Sequence, residues 1–398
     1  MRTVYQFASA GQLIFGNNSL LQLNEVIQQL GIRKIMLITD PILEQIGMSK
    51  KVISATGTKV LSFTESEPEP SLSMVRKAAE LAIKEQPDAL IALGGGSNID
   101  ATKLVGIILQ HGGDPRDYVG EHRVPGPIVP LIAIPTTAGT GSEVSQAAVF
   151  TDTERQLKVS CLSPYLRPKI AIVDPLLTYS CPPKVTADSG IDALTHAIEA
   201  YTAIDNADYP LPPNERSTYQ GKNPIADMYA EKTIHLVSHY LVRAYRDPND
   251  AEAREGMALA ATMGGLAFSN AGVALVHAME YPVGAAVHVS HGAGNGLLLP
   301  YIMQYNLPVR QQAFQKIAGL MGVSGVGKDG VSAALRAIDA VRELRKAIDI
   351  PERLRDLGVK QSQLAEFAVK AHSFTRLMRV NPQFPTVAEI EQIYQAAW

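Results

Sequence analysis

Along the first half of the chain, short and almost wholly apolar runs recur at residues 34–39, 59–63, 89–93, 130–134 and 170–173. Runs without apolar–polar alternation predict strands covered on both faces, as in a parallel sheet. Between them, residues 71–86 and 97–110 place apolar side chains at helical spacing. Each of these segments opens on a serine, Ser71 or Ser97, suited to capping a helix N-terminus. Strands and helices in alternation predict a doubly wound α/β unit.

Past about residue 185 the pattern changes to long helical stretches, 188–202, 224–246 and 251–268 first, with more to the C-terminus. The second half therefore reads as all-α. The change falls beside Pro182-Pro183, where paired prolines end one element and permit another to start, so the expected domains are 1–184 and 185–398. Residues 203–224 interrupt the helices with Pro210, Pro212, Pro213 and Pro224 and no periodicity. This segment is expected to be a loop, either a lid or binding loop or else unstructured.

Composition narrows the partners. A chain of 398 residues exceeds what one core organises, and 46% apolar with 19% charged residues suits ordered domains around a small-molecule site. A net charge of −3 with no dense basic run argues against nucleic acid. The opening residues carry no apolar leader and no stretch is long and apolar enough for a span, so no membrane partner and a cytoplasmic location are expected. Cys161 and Cys181 sit in no C-x-x-C pair and near no histidine cluster, which argues against a disulfide framework and a thiolate metal site.

Two turns suggest a nucleotide. Gly94-Gly95-Gly96-Ser97 follows one predicted strand and opens a predicted helix, where glycines let a diphosphate approach the backbone and helix N–H groups favour the anion. Pro135 to Ser142 follows the next strand with several hydroxyls and two glycines. Asp40, just past the first strand run, stands where a carboxylate accepts from an adenosine ribose and repels a 2′-phosphate, favouring NAD over NADP.

A metal site is suggested by Asp192 and His196, four apart and so on one face of a helix, together with His277 and His291 in an apolar, small-residue setting. One carboxylate with three imidazoles suits Fe2+, and Zn2+ fits the same cage. His288, three residues before His291, is expected to support the ligands.

In combination these motifs resemble the iron-containing (group III) alcohol dehydrogenase family over essentially the whole chain. The resemblance rests on the glycine turn with Asp100 and Lys103, on Pro135 to Ser145, on Asp192-x-x-x-His196, and on the His277 and His291 segments. It implies a Rossmann-like N-terminal domain and an all-α C-terminal domain, the fold shared with dehydroquinate synthase. It also implies metal binding by Asp192, His196, His277 and His291, and cofactor contacts at Asp40, Gly95, Gly96, Ser97, Thr137, Thr140, Ser142 and Lys158. Many members carry a proton-relay histidine where this chain has Tyr281, which leaves Tyr281 and His277 as its candidate catalytic residues.

The activity implied is hydride transfer between a small alcohol or aldehyde and NAD(H), with a homo-oligomer, a dimer by base rate, as the assembly. Tyr219 to Asp227 and Ser269 to Val273 are more similar to the hydroxyacid-oxoacid transhydrogenase branch. That branch implies exchange of the 4-hydroxybutyrate/2-oxoglutarate type on a retained cofactor, with Arg216, Lys222 and Arg379 as candidate carboxylate clamps. A lyase of the dehydroquinate synthase type would require a basic phosphate-binding cluster facing the metal, which this sequence does not show, and a metal- and nucleotide-binding protein without turnover is the remaining alternative.

Overall fold

The computed structural model describes residues 4–155, 157–211, 215–323 and 330–398. The chain forms two compact units: Ser9–Cys181 with Arg216–Thr218, and Met1–Ala8 with Pro182–Glu215 and Tyr219–Trp398.

The α/β unit contains strands β1 (Gln12–Phe15), β2 (Lys34–Ile38), β3 (Lys59–Phe63), β4 (Ala89–Gly94), β5 (Gly120–Glu121), β6 (Leu131–Pro135), β7 (Ala147–Asp152), β8 (Leu157–Leu162) and β9 (Ile170–Val173). Its helices are α1 (Leu23–Gln29), α2 (Pro41–Gln45), α3 (Met48–Thr56), α4 (Leu72–Glu85) and α5 (Gly96–His111). Six parallel strands form one sheet in the order β1-β9-β6-β4-β2-β3. The five apolar runs became β2, β3, β4, β6 and β9. At the sheet edge β3 buries only Phe63, whereas β2 past Lys34 and the whole of β4, β6 and β9 are buried because α4 and α5 cover one face, packing Val75, Leu104 and Val105 on Met36 and Leu90. Val26, Ile27 and Val52 cover Ile35, Leu37 and Ile91 on the other.

From β2 the chain passes to β3 at the sheet edge, then returns to place β4 on the other side of β2. This reversal makes the C-terminal ends of β2 and β4 the switch point at which doubly wound sheets bind ligands. Edge strand β1, of which Gln12 and Leu13 are exposed, and the three-stranded sheet β5-β8-β7 were not expected from the sequence. The β7 burial alternates residue by residue, so its signal is a half-buried ribbon rather than a covered strand.

Ser71 does cap α4, accepting from Met74 N at 3.2 Å. Ser97 does not cap α5: the helix begins at Gly96 with Gly95 as its cap, and Ser97 Oγ accepts instead from Glu69 N at 3.1 Å. Cys161 is buried and Cys181 half-buried, neither in a disulfide, and burial followed by the nearby Asp100 charge pushes the Cys161 thiol up to about 12.

The second unit holds α6 (Pro183–Thr202), α7 (Pro224–Arg246), α8 (Ala251–Ala271), α9 (Leu275–Val287), α10 (His291–Leu320), α11 (Gly330–Ala347), α12 (Leu364–Ser373), α13 (Thr375–Met378) and α14 (Val387–Ala397). Its described residues form no sheet. Pro182 caps α6 and Pro183 is its first residue, so the proline pair opens the helix and the units part at Cys181/Pro182. The N-terminal residues join this unit through long-range amide pairs: Ala8 N donates to Asn270 Oδ1 at 2.8 Å, Asn270 Nδ2 returns to Ala8 O at 2.9 Å, and Gln6 and Gln220 pair likewise.

The 203–224 segment is a loop, with Pro212, Pro213 and Asn214 outside the described residues. It is tied down. Arg310 donates to Thr202 O, Ala203 O and Asp205 Oδ2 at 2.7–3.1 Å. Asp205 bridges Lys222, and Thr218 N donates to Glu121 Oε1 at 2.8 Å. No single helix among the described residues is long and apolar enough to cross a membrane.

Candidate metal centre and cofactor turns

At the end of β4, Gly94 adopts φ +141°, and a Cβ there would lie 1.9 Å from Asn98 Nδ2, so only glycine fits. The Asn98 amide occupies that space to donate to Leu93 O and to Asp40 Oδ2, each at 2.8 Å. The other Asp40 oxygen caps α2, accepting from Ile42 N and Leu43 N at 3.0 Å. Asn98 thus ties the end of β2 to the glycine turn of β4.

A Cβ on Gly95 would meet Thr137 Oγ1 at 3.3 Å, and one on Gly96 would meet Thr140 Cγ2 at 2.7 Å. The two turns, distant in sequence, are therefore packed against each other. Together they present the unpaired N–H groups of the first turn of α5, a setting for a diphosphate. Ser97 and Lys158 are brought close through Glu69, whose carboxylate accepts from Lys158 Nζ at 2.8 Å. Ser142 is placed differently: its hydroxyl donates to Asp100 Oδ1 at 2.5 Å and accepts from Lys103 Nζ at 2.9 Å, so it braces the turn from inside.

In the helical unit, α6 carries Asp192, His196 and Glu199 on one face. Asp192, His196 and His277 are all buried, and each offers a ligand atom within 4.8 Å of the others'. His196 Nε2 lies 3.7 Å and His277 Nε2 4.0 Å from the Asp192 carboxylate. His196 stacks on Phe268 with ring centroids 4.2 Å apart, which shields that side. Burial pushes the Asp192 carboxyl up, but His196, His291, His277 and the Asn295 amide together outweigh it and hold it below the usual carboxylate range.

His291, the first residue of α10, is half-buried with its ring 5.1 Å from that of His277. It stands beside the three-residue cluster rather than within the same 4.8 Å set. Ser290 caps α10 and donates to Asp188 Oδ2 at 2.5 Å, and Gly292 sits directly on the α6 backbone.

The imidazole orientations test whether a cation fits. His277 Nδ1 donates to Glu199 Oε2 and His291 Nδ1 to Glu280 Oε2, each at 2.5 Å. An ionised carboxylate only accepts, so each Nδ1 carries the proton and each Nε2 keeps its lone pair. Asn295 Nδ2 lies 3.1 Å from His291 Nε2, 3.3 Å from His277 Nε2 and 2.8 Å from Asp192 Oδ1, confirming that all three present acceptors to one point. Buried Asn295 Oδ1 has no hydrogen-bond partner among the described residues. Lone pairs and a carboxylate facing inward are the donor set of a divalent cation, and the residues fit it.

Glu199, Glu280 and Asn295 were missed in the sequence. Their signal was present in the spacing: Glu199 is three residues after His196, Glu280 three after His277, and Asn295 four after His291. His288 is exposed and ends α9 in the left-handed conformation, φ 52°, as the helix cap. Tyr281 packs edge-on to Phe374 at 5.2 Å and lies 5.9 Å from the His291 ring, centroid to centroid. Burial pushes its phenol well above the ordinary value, so it keeps its proton near neutral pH. Of the candidate clamps, Lys222 pairs with Asp227 and covers the Tyr201 ring, Arg379 pairs with Glu215 at 3.1 Å, and Arg216 is exposed.

An acidic and imidazole cation site in a helical unit, with glycine turns at the switch point of an α/β unit, defines a metal-dependent nucleotide-binding oxidoreductase. Family models described as "Iron-containing alcohol dehydrogenase" and "Fe-containing alcohol dehydrogenase family, C-terminal" match residues 10–175 and 215–398. The chain belongs to the iron-containing alcohol dehydrogenase family.

It is 35% identical over 387 residues to the NAD-dependent methanol dehydrogenase of Bacillus methanolicus, covering 96% of this chain and 97% of that one. It is 36% identical over 393 residues to the 1,3-propanediol dehydrogenase of Klebsiella pneumoniae, covering 96% of each. The crystal structure of a 1,3-propanediol oxidoreductase superposes with a TM-score of 0.93 at 34% identity over all of both chains.

Proposed function

We propose that this enzyme transfers a hydride between a small primary alcohol or diol and NAD, with Asp192, His196, His277 and His291 holding iron. The observation that carries the reading is the pair of carboxylate–imidazole contacts, which leave the Nε2 lone pairs of His277 and His291 facing the space around Asn295 Nδ2 that Asp192 Oδ1 also faces. When bound, the ion supplies Lewis acidity toward an alcohol oxygen and the nicotinamide supplies the hydride acceptor.

The chain's own residues do the rest. Glu199 and Glu280 fix the tautomers of His277 and His291, and Phe268 keeps water from the face of His196. Tyr281 retains its proton and serves as a hydrogen-bond donor rather than a base. Asp40, Gly95, Gly96, Ser97, Thr137 and Thr140 are assigned to the dinucleotide, with Lys158 beside them and Ser142 acting through the turn it braces. The Asp40 carboxylate disfavours a 2′-phosphate, which supports NAD over NADP.

The relatives above are alcohol dehydrogenases, which favours alcohol oxidation over hydroxyacid-oxoacid exchange. The ion pairs of Lys222 and Arg379 argue the same way. A homodimer in the cytoplasm completes the proposal, to be checked by light scattering and cell fractionation.

The test is anaerobic loading with Fe2+ or Zn2+ and measurement of NADH consumption with small aldehydes. Metal-dependent consumption supports the reading. Silence there, with 4-hydroxybutyrate reducing 2-oxoglutarate in the absence of added cofactor, would replace it by the transhydrogenase reaction.

A further inference from the structure

Helix α7 carries two exposed histidines, His235 and His239, four residues apart and therefore on one face; neither takes part in the metal centre described above. Their rings are stacked, with centroids 6.2 Å apart and planes 14° from parallel. His235 is anchored, its Nδ1 donating to Leu320 O at 3.4 Å. Leu320 is the last residue of α10, so its carbonyl is one of those a helix end leaves without an intrahelical partner, and the negative end of the helix dipole lies there. His239 packs edge-on against Tyr240, with centroids 4.8 Å apart.

A carbonyl only accepts, so Nδ1 of His235 carries the proton and Nε2 keeps its lone pair, the orientation a metal-ligating imidazole takes. Capping Leu320 accounts for His235 and does not call for a second histidine one turn further on. Two imidazoles on one ion, each bonded at about 2.0–2.1 Å, keep their ring centres within roughly 6.5 Å of each other. The observed 6.2 Å falls inside that span. Glu231, the next position back on the same stripe, is engaged by the Tyr201 hydroxyl at 3.0 Å and by Lys316 at 3.6 Å. The face thus offers an ion two nitrogens, with the Lys316 ammonium already paired.

We infer that His235 and His239 form a second metal site on the surface of α7: a two-nitrogen chelate for a divalent transition ion, with water completing its shell. Imidazole nitrogen suits Cu2+, Ni2+ and Zn2+, with Cu2+ held most tightly. Mg2+ and Ca2+ prefer oxygen ligands, and Fe2+ stands lower in the order of affinities, so the pair does not compete for iron. The inference is independent of the ion the inner centre holds and of the reaction proposed above. It gives each chain a further equivalent of copper, nickel or zinc beyond whatever that centre takes.

The experiment passes the full-length protein, expressed without a histidine tag, over immobilised Cu2+, which meets surface histidines and not the buried Asp192, His196 and His277. The wild type should be retained and released by imidazole. His235→Ala and His239→Ala should each weaken retention by about tenfold or more, because the second nitrogen of a chelate binds as an intramolecular ligand. Both positions are exposed on a helix and alanine is the best helix former, so the variants keep the fold. His122→Ala and His288→Ala, at exposed histidines outside the pair, should be retained like the wild type. In equilibrium dialysis against Zn2+ just saturating the wild type, either pair variant should hold close to one equivalent less, a difference that does not depend on how much the inner centre takes. Retention and bound Zn2+ that are unchanged in both pair variants overturn the inference, as does a loss of retention matched by His122→Ala or His288→Ala.

Discussion

Gly292→Ala should damage the metal centre, while the same substitution at Gly319 of the same helix should stabilise the protein. A Cβ on Gly292 would lie 1.9 Å from Asp188 O and 2.6 Å from its carbonyl carbon. Ordinary carbon–oxygen contact starts near ~3.3 Å, so α10 would have to back away from α6 by roughly 1.4 Å. The obstacle is backbone inside a buried helix and has no rotamer to change. Overpacking of this kind costs about 1–3 kcal/mol, occasionally more.

The displacement falls one residue from His291 and would pull Nε2 away from the Asp192 and His277 donors, so iron retention should fall with stability. At Gly319 a Cβ meets nothing within 4 Å, and alanine should add about 0.5–1 kcal/mol through helix propensity and a less flexible unfolded chain. The assays are thermal unfolding and bound iron after gel filtration, on both variants. A Gly292→Ala protein with wild-type melting temperature and full iron would refute the close-packing argument for how α10 delivers His291.

Glu199→Gln leaves one acceptor where Val276 N and His277 Nδ1 now use two, and iron affinity measured against a chelator should weaken by about 10–100-fold. Asp40→Ser keeps a helix cap but removes the charge, so the kcat/KM preference for NAD over NADP should shrink with little loss of stability. Asp40→Ala should show the same change in preference and a further loss of about 1 kcal/mol from the lost cap. Tyr281→Phe removes a donor from a phenol that burial keeps protonated, and kcat should drop by less than about tenfold; a loss of about 10²–10⁴ would mark it as the general acid–base instead.

Burial, opposed by Asp100 and Glu143, draws the Lys103 ammonium down to about 8. The unfolded chain then binds more protons than the folded one between pH 8 and the ordinary lysine value. Wild-type stability should therefore rise relative to Lys103→Met by up to roughly 3 kcal/mol across that window, read by denaturant unfolding, and a flat difference would show that the ammonium is not destabilised by burial.

Much of the scaffold was legible because it follows from local periodicity. A strand covered on both faces needs an unbroken apolar run, and β2 past Lys34, β4, β6 and β9 have one, whereas edge strand β3 is interrupted by Ser62 and buries only Phe63. Asp192 and His196 share a face because a helix repeats every 3.6 residues, whatever surrounds it. Glycine at Gly94 to Gly96 announced a turn for the same local reason.

What lay beyond the sequence was decided by contacts between distant segments. Ser97 has the chemistry of a cap, yet Glu69 claims its hydroxyl and Gly95 caps the helix. The Ser142 hydroxyl is held by Asp100 and Lys103, partners that its place in the turn did not announce. The partnership of Glu199 with His277 spans 78 residues, and no local spacing encodes it. It exists because α6, α9 and α10 pack closely enough, at glycines such as Gly292, for side chains from three helices to meet at one point. Residue type set which chemistry was available, and packing selected which atoms perform it.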